Sequence, residues 1–595
     1  MIRHALVVPA ALGRVFYGAF TVGLSCLPLN PPSKNLFSGA FSARIELSLP
    51  NRTPRNHEKR EQIGVRSVAA SVRARLYRAR LLHKDPGQVF LIATLLCLSA
   101  LFLACSRSHP DPHAITMIIE SSPANLDPRI GTDAFSERID ELLFDSLVRK
   151  DEHFNLQPWV AQSWEIPNPL TYIFHLRTGV RFHDGRPLTS KDVKWSIDSM
   201  MNGVVVSSKT ATTSYQHIAS IEAPDDRTII FHMKEPDSGL PWNLSDGAMG
   251  IVPYGSDRNF NLNPVGSGPF KFVKNEQDNE VIIVRNDDYW ADKPKVERVR
   301  FAVVPDTTTC ALELRKGSAD IQINFLTADM VQSLRADPRL TVEQAPGTSV
   351  QYLAFNLRDP VLRDVRVRQA IAYAIDVQPI IEHLWRNTVR PVASVIPPLH
   401  WAYDSNLQPY AHDPEKAKAL LKEAGYSAAA GKRLHLIMKT STVETSRLLT
   451  VILQQQLREV GIDLEVRTFE FATFYSDVVK GAFQIYTLRW VGGANQDPEI
   501  FEYIFDSKSF APRRANRSYY ANPQVDAWIE QARTELDQEK RKAIYARIQE
   551  QVWRDLPSIN LWSLDNVIVH TNRVRNVHAE PAGNYDFLRT AEIAQ

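Results

Sequence analysis

Hydrophobic and polar positions alternate most clearly between Leu434 and Leu488. The segments 434–440, 462–469 and 483–490 have the spacing of β-strands, whereas 445–460 and 471–480 have the spacing of amphipathic helices. Strands that alternate with helices in this way predict a parallel sheet with right-handed crossovers. Ligands of such sheets lie at the carboxyl ends of the strands. Because Arg489 and Trp490 end the third strand, we expect a ligand near them.

Other segments carry clear start and stop signals for helices. The sequence Asp413-Pro414-Glu415 predicts a helix start, with Gly425 as its end. Apolar residues at helical spacing predict one long helix from Asp364 to Trp385 and a helix pair at 524–533 and 538–554. Residues 172–197 predict a hairpin that turns at Asp184-Gly185, followed by a helix capped by Thr189 or Ser190.

The amino-terminal region contains a leader-like segment. Val89 to Ala104 is a run of sixteen residues without a charge, and five basic residues precede it between Arg73 and Lys84. A basic stretch, an apolar run and a small final residue are typical of a secretory signal peptide, here 72–104. A retained membrane anchor is the alternative, although about 20 residues are needed to span a bilayer.

Leu101 to Cys105 resembles a bacterial lipobox, in which the cysteine is lipidated and becomes the first residue of the mature protein. We therefore expect lipidation at Cys105, with 105–113 as the lipidated cysteine and its tether. Signal peptides do not carry a preface as long as 1–88. This stretch is therefore either non-native, with Val72 or Val89 as the true start, or an unstructured leader extension, and we expect no fold for it. Ala5 to Leu29 is itself apolar, which leaves an internal leader as an alternative.

Length and charge narrow the class of protein. A chain of 595 residues exceeds what one hydrophobic core supports, so two or three domains are expected. The net charge of +2 combines +10 before Cys105 with −8 from Cys105 onward. Nucleic-acid binders carry their positive charge on the folded domain, so we expect no nucleic-acid partner. If everything before Cys105 is removed, Cys310 is the one other cysteine, so we expect no structural disulfide in the mature chain. We interpret Cys310 as a buried hydrophobe rather than a nucleophile.

The chain lacks the common catalytic motifs. It contains no G-x-S-x-G, phosphate loop, H-E-x-x-H or G-x-G-x-x-G. The glycines of 266–270 lack the lysine of a phosphate loop and predict a tight turn between strands, and His175 and His183 are interpreted as structural rather than as a metal site. We expect neither an enzyme nor a bound cofactor or metal.

Several segments together resemble the large solute-binding proteins of peptide and nickel ABC importers, which include the dipeptide- and oligopeptide-binding proteins. The resemblance covers about residue 115 to the carboxyl terminus and keeps the family's order and spacing. The segments that carry it are 124–151, 156–166, 172–196, 263–273, 285–306, 351–376, 413–426, 490–501 and 519–562.

The resemblance implies an α/β, two-lobed periplasmic-binding-protein-like fold of type II, in the large peptide-binding class. Lobe one would comprise 114–150, 261–350 and 566–595, with an extra domain, 151–260, inserted in it. Lobe two would be 351–565. The chain would pass between the lobes near Gln351-Tyr352 and again near Trp562 to Asn566.

The resemblance also implies a function and a site. A monomeric protein outside the cytoplasm, in the periplasm or at the cell surface, would close its lobes on a peptide or peptide-like solute and deliver it to an ABC permease and ATPase complex. Its lipid would hold it at the membrane. The implied ligand-binding residues are Gly131, Thr132 and Asp133 on lobe one, Tyr352 and Trp562 at the hinge, and Arg489, Trp490, Val491, Gly492, Gly493 and Asp497 on lobe two.

One position departs from the family pattern. Many peptide-binding members have an aspartate three residues after this tryptophan that pairs with the ligand's α-amino group, and here that position is Gly493. Because a buried ammonium without a partner is costly, either Asp497 or Asp133 substitutes or the ligand lacks a free amino terminus. Haem, metal chelates and oligosaccharides remain alternative ligands. A sensor without a transporter and a tethered hydrolase are the competing functions.

Overall fold

A computed structural model describes residues 111–131, 133–202, 215–245, 249–491 and 498–594, all within the unit Arg107–Gln595. The expectations for 1–110, including the signal peptide and Cys105, lie outside these residues. The strands are β1 Ala114–Ile119, β2 Val148–Lys150, β3 Leu156–Pro158, β4 Ala161–Asn168, β5 Thr171–Leu176, β6 Ile218–Asp225, β7 Thr228–Met233, β8 Phe270–Glu276, β9 Glu280–Arg285, β10 Arg298–Val303, β11 Ile321–Ile323, β12 Leu340–Phe355, β13 Val389–Pro391, β14 Leu434–Ser441, β15 Ile462–Phe469, β16 Ile485–Trp490, β17 Ser558–Thr571, β18 Val574–Arg575 and β19 Glu592–Ile593.

Helices connect and cover these strands. They are α1 Ala134–Leu143, α2 Ser190–Met201, α3 Leu240–Asn243, α4 Thr307–Lys316, α5 Ala328–Arg335, α6 Val365–Ala374, α7 Val377–Pro379, α8 Pro414–Glu423, α9 Glu444–Glu459, α10 Phe471–Val479, α11 Ile500–Phe505, α12 Pro523–Thr534 and α13 Gln538–Asp555. Single turns of other helix types lie at Phe260–Leu262, Ile380–Leu384, Ala428–Ala430, Ser507–Ser509 and Asp586–Arg589.

The predicted parallel sheet is confirmed. Strand β14 pairs in parallel with β15 on one side and with β16 on the other, and α9 and α10 form the crossovers. These strands are one end of an eleven-stranded sheet among the described residues, ordered β15-β14-β16-β12-β17-β11-β1-β10-β9-β8, with β13 paired to β17. The carboxyl ends of β14, β15 and β16 therefore share one edge of the sheet.

Strands β12 and β17 link the two ends of this sheet. They pair antiparallel from Leu340–Thr571 to Ala354–Ser558, with register shifts between Pro346 and Val350 and between Gln351 and Tyr352. One core lies around β14–β16 and α6, and another lies around β1, β8–β10 and the carboxyl terminus. Both predicted crossing points between lobes fall on these two strands. The lobe and insert boundaries themselves stay a prediction.

A second sheet lies apart from the first. Strands β4, β5, β7 and β6 form it in that order, and they bury a core against α2. This sheet falls inside the predicted insert 151–260. A further core joins Phe154 and Trp242 of that segment to Trp401, Phe501 and other residues of the predicted second lobe.

Two local predictions were wrong. The helix predicted from Asp364 to Trp385 ends at Ala374, because Ile375 is extended and Asp376 caps a new, short helical segment. That segment covers Val377–Pro379 and continues as a π-helical turn over Ile380–Leu384. The predicted hairpin at 172–197 is reduced to a single bridge between Arg181 and Pro187, since β5 pairs instead with β4 and β7. The turn at Gly185 is confirmed by its positive φ, and α2 follows with Thr189 as its cap.

The remaining sequence expectations concern isolated groups. Cys310 is a buried free thiol in α4, and desolvation raises its pKa to about 12, which fits a hydrophobe rather than a nucleophile. The nitrogens of His183 contact the backbone of Gly266 and Gly268, and His175 pairs with Glu165 at 3.1 Å. Within the described ranges, no helix has the length and apolarity to cross a bilayer.

Candidate functional site

Aromatic side chains collect at the carboxyl edge of β14, β15 and β16. Phe471 and Tyr475 belong to the first turns of α10 and are 49% and 38% exposed. Trp490 ends β16 and is half-buried, and Tyr503 of α11 lies against it at 6.4 Å between ring centroids. Exposed aromatic groups in this number are unusual away from binding surfaces. We call Tyr352, Phe471, Tyr475, Trp490 and Tyr503 the aromatic wall.

The pairing of β12 with β16 positions Trp490. Val350 lies opposite Trp490, so Tyr352 is its diagonal neighbour on the same face of the sheet. The Tyr352 and Trp490 rings stack at 5.3 Å with 14° between their planes. The buried Tyr352 thereby fixes the plane of a tryptophan that remains partly open to solvent.

Arg517 contacts three residues of the aromatic wall. Its Nη2 donates to the Tyr475 hydroxyl at 2.9 Å and its Nη1 to the Tyr352 hydroxyl at 3.3 Å. The guanidinium also lies over the Tyr475 and Trp490 rings, at 5.3 and 5.1 Å from their centroids. Such cation–π contacts are favourable, more so where water is excluded. The arginine therefore holds three aromatic rings of the wall together.

Arg489 points to the opposite face of the sheet from Trp490, because successive strand residues alternate. It is the register partner of Gln351, whose Nε2 donates to Thr487 Oγ1 at 2.7 Å. The Arg489 side chain is exposed to solvent, yet desolvation lowers the pKa of its guanidinium. No ion pair to Arg489 is found in the described part of the chain.

The residues predicted for lobe one have structural roles in this conformation. Asp133 caps α1: its Oδ1 accepts from the Phe135 and Ser136 amides at 3.1 and 3.0 Å, and its Oδ2 from the Ala124 amide at 3.2 Å. Gly131 is buried, and a Cβ there would lie 2.2 Å from the Asn125 carbonyl oxygen. Thr132 lies outside the described residues. A ligand role for these residues stays a prediction.

The other predicted site residues are distributed along β12, β16 and β17. Tyr352, Arg489, Trp490 and Val491 come together at the carboxyl end of β16, where Val491 is 62% exposed. Trp562 is 0% exposed and packs on Trp385, with 6.1 Å between ring centroids. Gly492, Gly493 and Asp497 lie outside the described residues. Phe471, Tyr475, Tyr503 and Arg517 were not predicted from the sequence.

A second cluster of charges lies between β2 and the carboxyl terminus. Asp586 pairs with Arg149 and with Arg589, the latter at 2.9 Å. Burial, which raises the pKa of Asp586, is outweighed by these two cations, so the pKa is lowered. Desolvation raises the pKa of the neighbouring Glu141 to about 8 and that of Glu580 to about 7. Within the described residues, no group of three or more His, Cys, Asp or Glu could hold a metal.

A family model described as bacterial extracellular solute-binding proteins, family 5 middle, matches residues 155–512. The chain belongs to this family. Family 5 is one family of solute-binding proteins of ABC importers; its members are not enzymes and act in the periplasm or outside the cell. The predicted family and the expectation that the chain is no enzyme are therefore confirmed.

Two curated relatives cover most of this family 5 protein. The dipeptide-binding protein of Escherichia coli K12 is 27% identical over 492 residues, which is 78% of this chain and 90% of the relative. Heme-binding protein A of Haemophilus influenzae is also 27% identical, over 487 residues, 77% of this chain and 86% of the relative. Two relatives that are equally similar to this chain are thus named for chemically different ligands, dipeptides and haem.

Solved structures match the fold of this family 5 protein. HbpA2 from Haemophilus parasuis has a TM-score of 0.73 at 24% identity, covering 81% of this chain and 100% of that one. DppA from Helicobacter pylori in complex with peptide STSA has a TM-score of 0.67 at 26% identity, covering 81% and 98%. The predicted α/β periplasmic-binding-protein fold of type II is confirmed.

Proposed function

We propose that this family 5 protein captures peptides or peptide-like solutes outside the cytoplasm and delivers them to an ABC permease. The aromatic wall is the observation that supports this most directly. It combines exposed rings, a stacked tryptophan and polar groups at the edge of a parallel sheet where ligands bind. One relative is named a dipeptide-binding protein, and one similar structure is a complex with a peptide, so both support peptides as the ligand class.

Capture would proceed by closure of two lobes. A ligand that contacts both lobes stabilises only the closed state, so loading and closure are coupled. Strands β12 and β17 are the connections that suit a hinge, since both carry the predicted crossing points and β12 has register shifts there. Lobe one, 114–150, 261–350 and 566–595, with the insert 151–260, would then move against lobe two, 351–565.

A planar tetrapyrrole is the second candidate ligand. Exposed, nearly parallel rings such as Phe471 and Tyr475, which stack at 6.0 Å and 13°, suit a flat aromatic partner. Heme-binding protein A among the relatives gives the same indication. Haem therefore belongs in every binding assay as a direct competitor of peptides.

The proposal predicts that peptides stabilise the folded protein. A ligand at one hundred times its dissociation constant adds about 2.7 kcal/mol to the free energy of unfolding, which raises the melting temperature. Thermal unfolding of the domain from Ser106 should be measured with libraries of di- to pentapeptides, with haem, a nickel–histidine chelate and maltotriose as comparisons. Stabilisation by a comparison ligand but by no peptide would contradict the peptide assignment.

We further propose a lipid anchor at Cys105. The motivation is the charge-free run that ends in Ala104-Cys105. The Cys105→Ser variant should either remain as unprocessed precursor or leave the membrane fraction, because the acylated thiol is lost. Fractionation followed by mass spectrometry of the amino-terminal peptide measures both. A correctly processed, membrane-bound variant would contradict the anchor. Cys310→Ala, which removes the other thiol without burying a polar group, is the control expected to be processed and fractionated as wild type.

A further inference from the structure

Two segments of the predicted insert, 151–155 and 235–243, lie against the predicted lobe two. We call them the docking segments. In the first, the Phe154 ring stacks on His400 of lobe two, with 5.4 Å between ring centroids and 13° between the planes, and both side chains are almost fully buried. Phe154 has a φ of 64°, a strained value for an aromatic residue. Such a backbone persists where surrounding contacts hold it, and the packing on lobe two is one of these contacts.

The second docking segment lies against a buried arginine of lobe two. The Arg541 guanidinium lies 4.8, 5.3 and 5.8 Å from the ring centroids of Trp242, Trp401 and Tyr545. Its Nη1 also donates to the Ser238 carbonyl oxygen at 3.3 Å. Trp242 and Ser238 belong to the insert, whereas the other two rings belong to lobe two. Because cation–π contacts are stronger where water is excluded, the arginine stabilises the contact between the two parts of the chain.

Backbone hydrogen bonds and an ion pair complete the docking contact. The Ser238 amide donates to the Arg533 carbonyl oxygen at 2.9 Å, and the Trp401 amide donates to the His153 carbonyl oxygen at 3.2 Å. The Arg533 side chain pairs with Glu235 at 3.2 Å. The partners in each of these bonds lie on opposite sides of the boundary between insert and lobe two, so separating the two parts breaks all of them.

The insert is joined to lobe one through the chain as well as through contacts. Both ends of the insert continue into lobe one, and Leu147 and Val148 of lobe one are fully buried in the core of the insert. The Ala161 amide donates to the Leu147 carbonyl oxygen at 2.8 Å, and the Ile251 amide to the Asp145 carbonyl oxygen at 2.9 Å. A hinge motion at β12 and β17 would therefore leave the insert with lobe one and break its contact with lobe two.

Helix α11 connects the docking contact to the aromatic wall. Tyr503 of this helix belongs to the wall, whereas Phe501 is buried in the core that contains Phe154 and Trp242. Trp490 of the wall packs against the same core. A ligand at the wall therefore contacts elements that also hold the docking segments.

We propose that the docking segments form a latch on lobe two, which separates when the protein opens and re-forms when the lobes close on a ligand. This inference rests on the proposed closure of two lobes and adds to it a contact surface outside the hinge. In the latched state the insert and lobe two share a dry core, so loading and docking stabilise each other.

Hydrogen exchange of the ligand-free domain from Ser106 tests the latch without any ligand. The amides of Ser238 and Trp401 donate across the docking contact, whereas those of Ala161 and Ile251 donate from the insert to lobe one. After correction for intrinsic rates, we expect the first pair to exchange at least about tenfold faster, because a contact that separates without global unfolding exposes only its own amides. Mass spectrometry with fragmentation at single-residue resolution measures all four.

Loading is expected to slow exchange at the docking amides selectively. The probe is the library of di- to pentapeptides used in the thermal screen. At saturation it should slow exchange of the Ser238 and Trp401 amides at least about tenfold, because a ligand at one hundred times its dissociation constant raises the population of the state that binds it by up to about a hundredfold. The Ala161 and Ile251 amides should change little.

Gly239→Asp is directed at the latched state. The backbone at Gly239 is right-handed helical, with a φ of −79°, so it accepts a side chain. A Cβ there would lie 1.5 Å from Glu499 Oε1 of lobe two, and the added carboxylate would repel that of Glu499. The variant should therefore speed exchange of the Ser238 and Trp401 amides at least about tenfold in the ligand-free protein.

Arg533→Gln tests the same contact through a different group, and Arg554→Gln is its matched control. Each arginine lies in the last turn of its helix and pairs with a glutamate of that helix, Arg533 with Glu530 and Arg554 with Glu550. Arg533 also pairs with Glu235 of the insert. We expect faster exchange at the docking amides in Arg533→Gln and wild-type exchange in Arg554→Gln.

Three results would overturn the latch. Equal exchange at all four amides of the ligand-free protein would show that the insert and lobe two do not separate. A thermal shift with peptides that leaves the Ser238 and Trp401 amides unchanged would uncouple docking from loading. Wild-type exchange in both Gly239→Asp and Arg533→Gln would show that these contacts do not hold the latch. If the library gives no thermal shift, the peptide function fails instead, and the ligand-free comparison and the variants decide on the latch.

Discussion

Trp490→Ala is expected to weaken ligand binding by about 1–3 kcal/mol, the usual cost of losing an aromatic anchor at a binding surface. The tryptophan ring is half-buried, stacks on Tyr352 and supports the guanidinium of Arg517. Its removal takes away contact area for the ligand and loosens Arg517. Calorimetry with the ligand class found by thermal shift measures this change, and urea unfolding measures stability in parallel.

The Trp490→Phe variant is the control for this prediction. Phenylalanine keeps a ring that stacks on Tyr352, so binding should be recovered to within about 1 kcal/mol of the wild-type value, as stacking supplies about 0.5–1.5 kcal/mol. A Trp490→Ala protein that binds normally but unfolds more easily would place the ring in the core rather than at the ligand.

Trp562→Ala is expected to lower the free energy of unfolding by about 3–5 kcal/mol, as large-to-small changes of buried aromatic residues do. The Trp562 side chain is fully buried in the core around β14–β16 and lies against Trp385. The site predicted from the sequence includes Trp562, so binding must be measured along with stability, in urea and by calorimetry below the unfolding transition.

Trp490→Ala and Trp562→Ala make the same chemical change, so comparing them separates a packing role of Trp562 from a ligand-binding role. If Trp562 acts through packing, the stability loss is large and the affinity of the remaining folded protein changes little. An affinity loss as large as that of Trp490→Ala, with normal stability, would contradict the packing role and support the ligand role expected from the sequence.

The parallel sheet of β14, β15 and β16 could be predicted from the sequence because the signals for it are local. The alternation of 434–440, 462–469 and 483–490 is visible within each segment, and the order of strands and helices then dictates a parallel sheet. Trp490 follows from that geometry as the last residue of a strand. The helix predicted across Ile375 was wrong because tertiary contacts, such as that of the Asp376 backbone with Gln456, override helical periodicity.

Arg517 could not be predicted because its partners are distant in sequence. Its contacts with Tyr352 and Tyr475 span 165 and 42 residues, and nothing in its own surroundings in the sequence marks it. Phe471 and Tyr475 carried a weak signal, since they lie four residues apart on a predicted helix and share a face. The capping role of Asp133, in contrast, rests on a local pattern, an aspartate directly before a helix, and could have been predicted from the sequence.

Ligand-induced closure tests the central claim most directly. Small-angle X-ray scattering of the domain from Ser106 should be recorded without ligand and with a saturating concentration of the peptide that gives the largest thermal shift. We expect the radius of gyration to fall on loading, because a ligand held between two lobes stabilises the closed arrangement. An identical radius of gyration with and without ligand, at a concentration where calorimetry shows full occupancy, would contradict capture by closure.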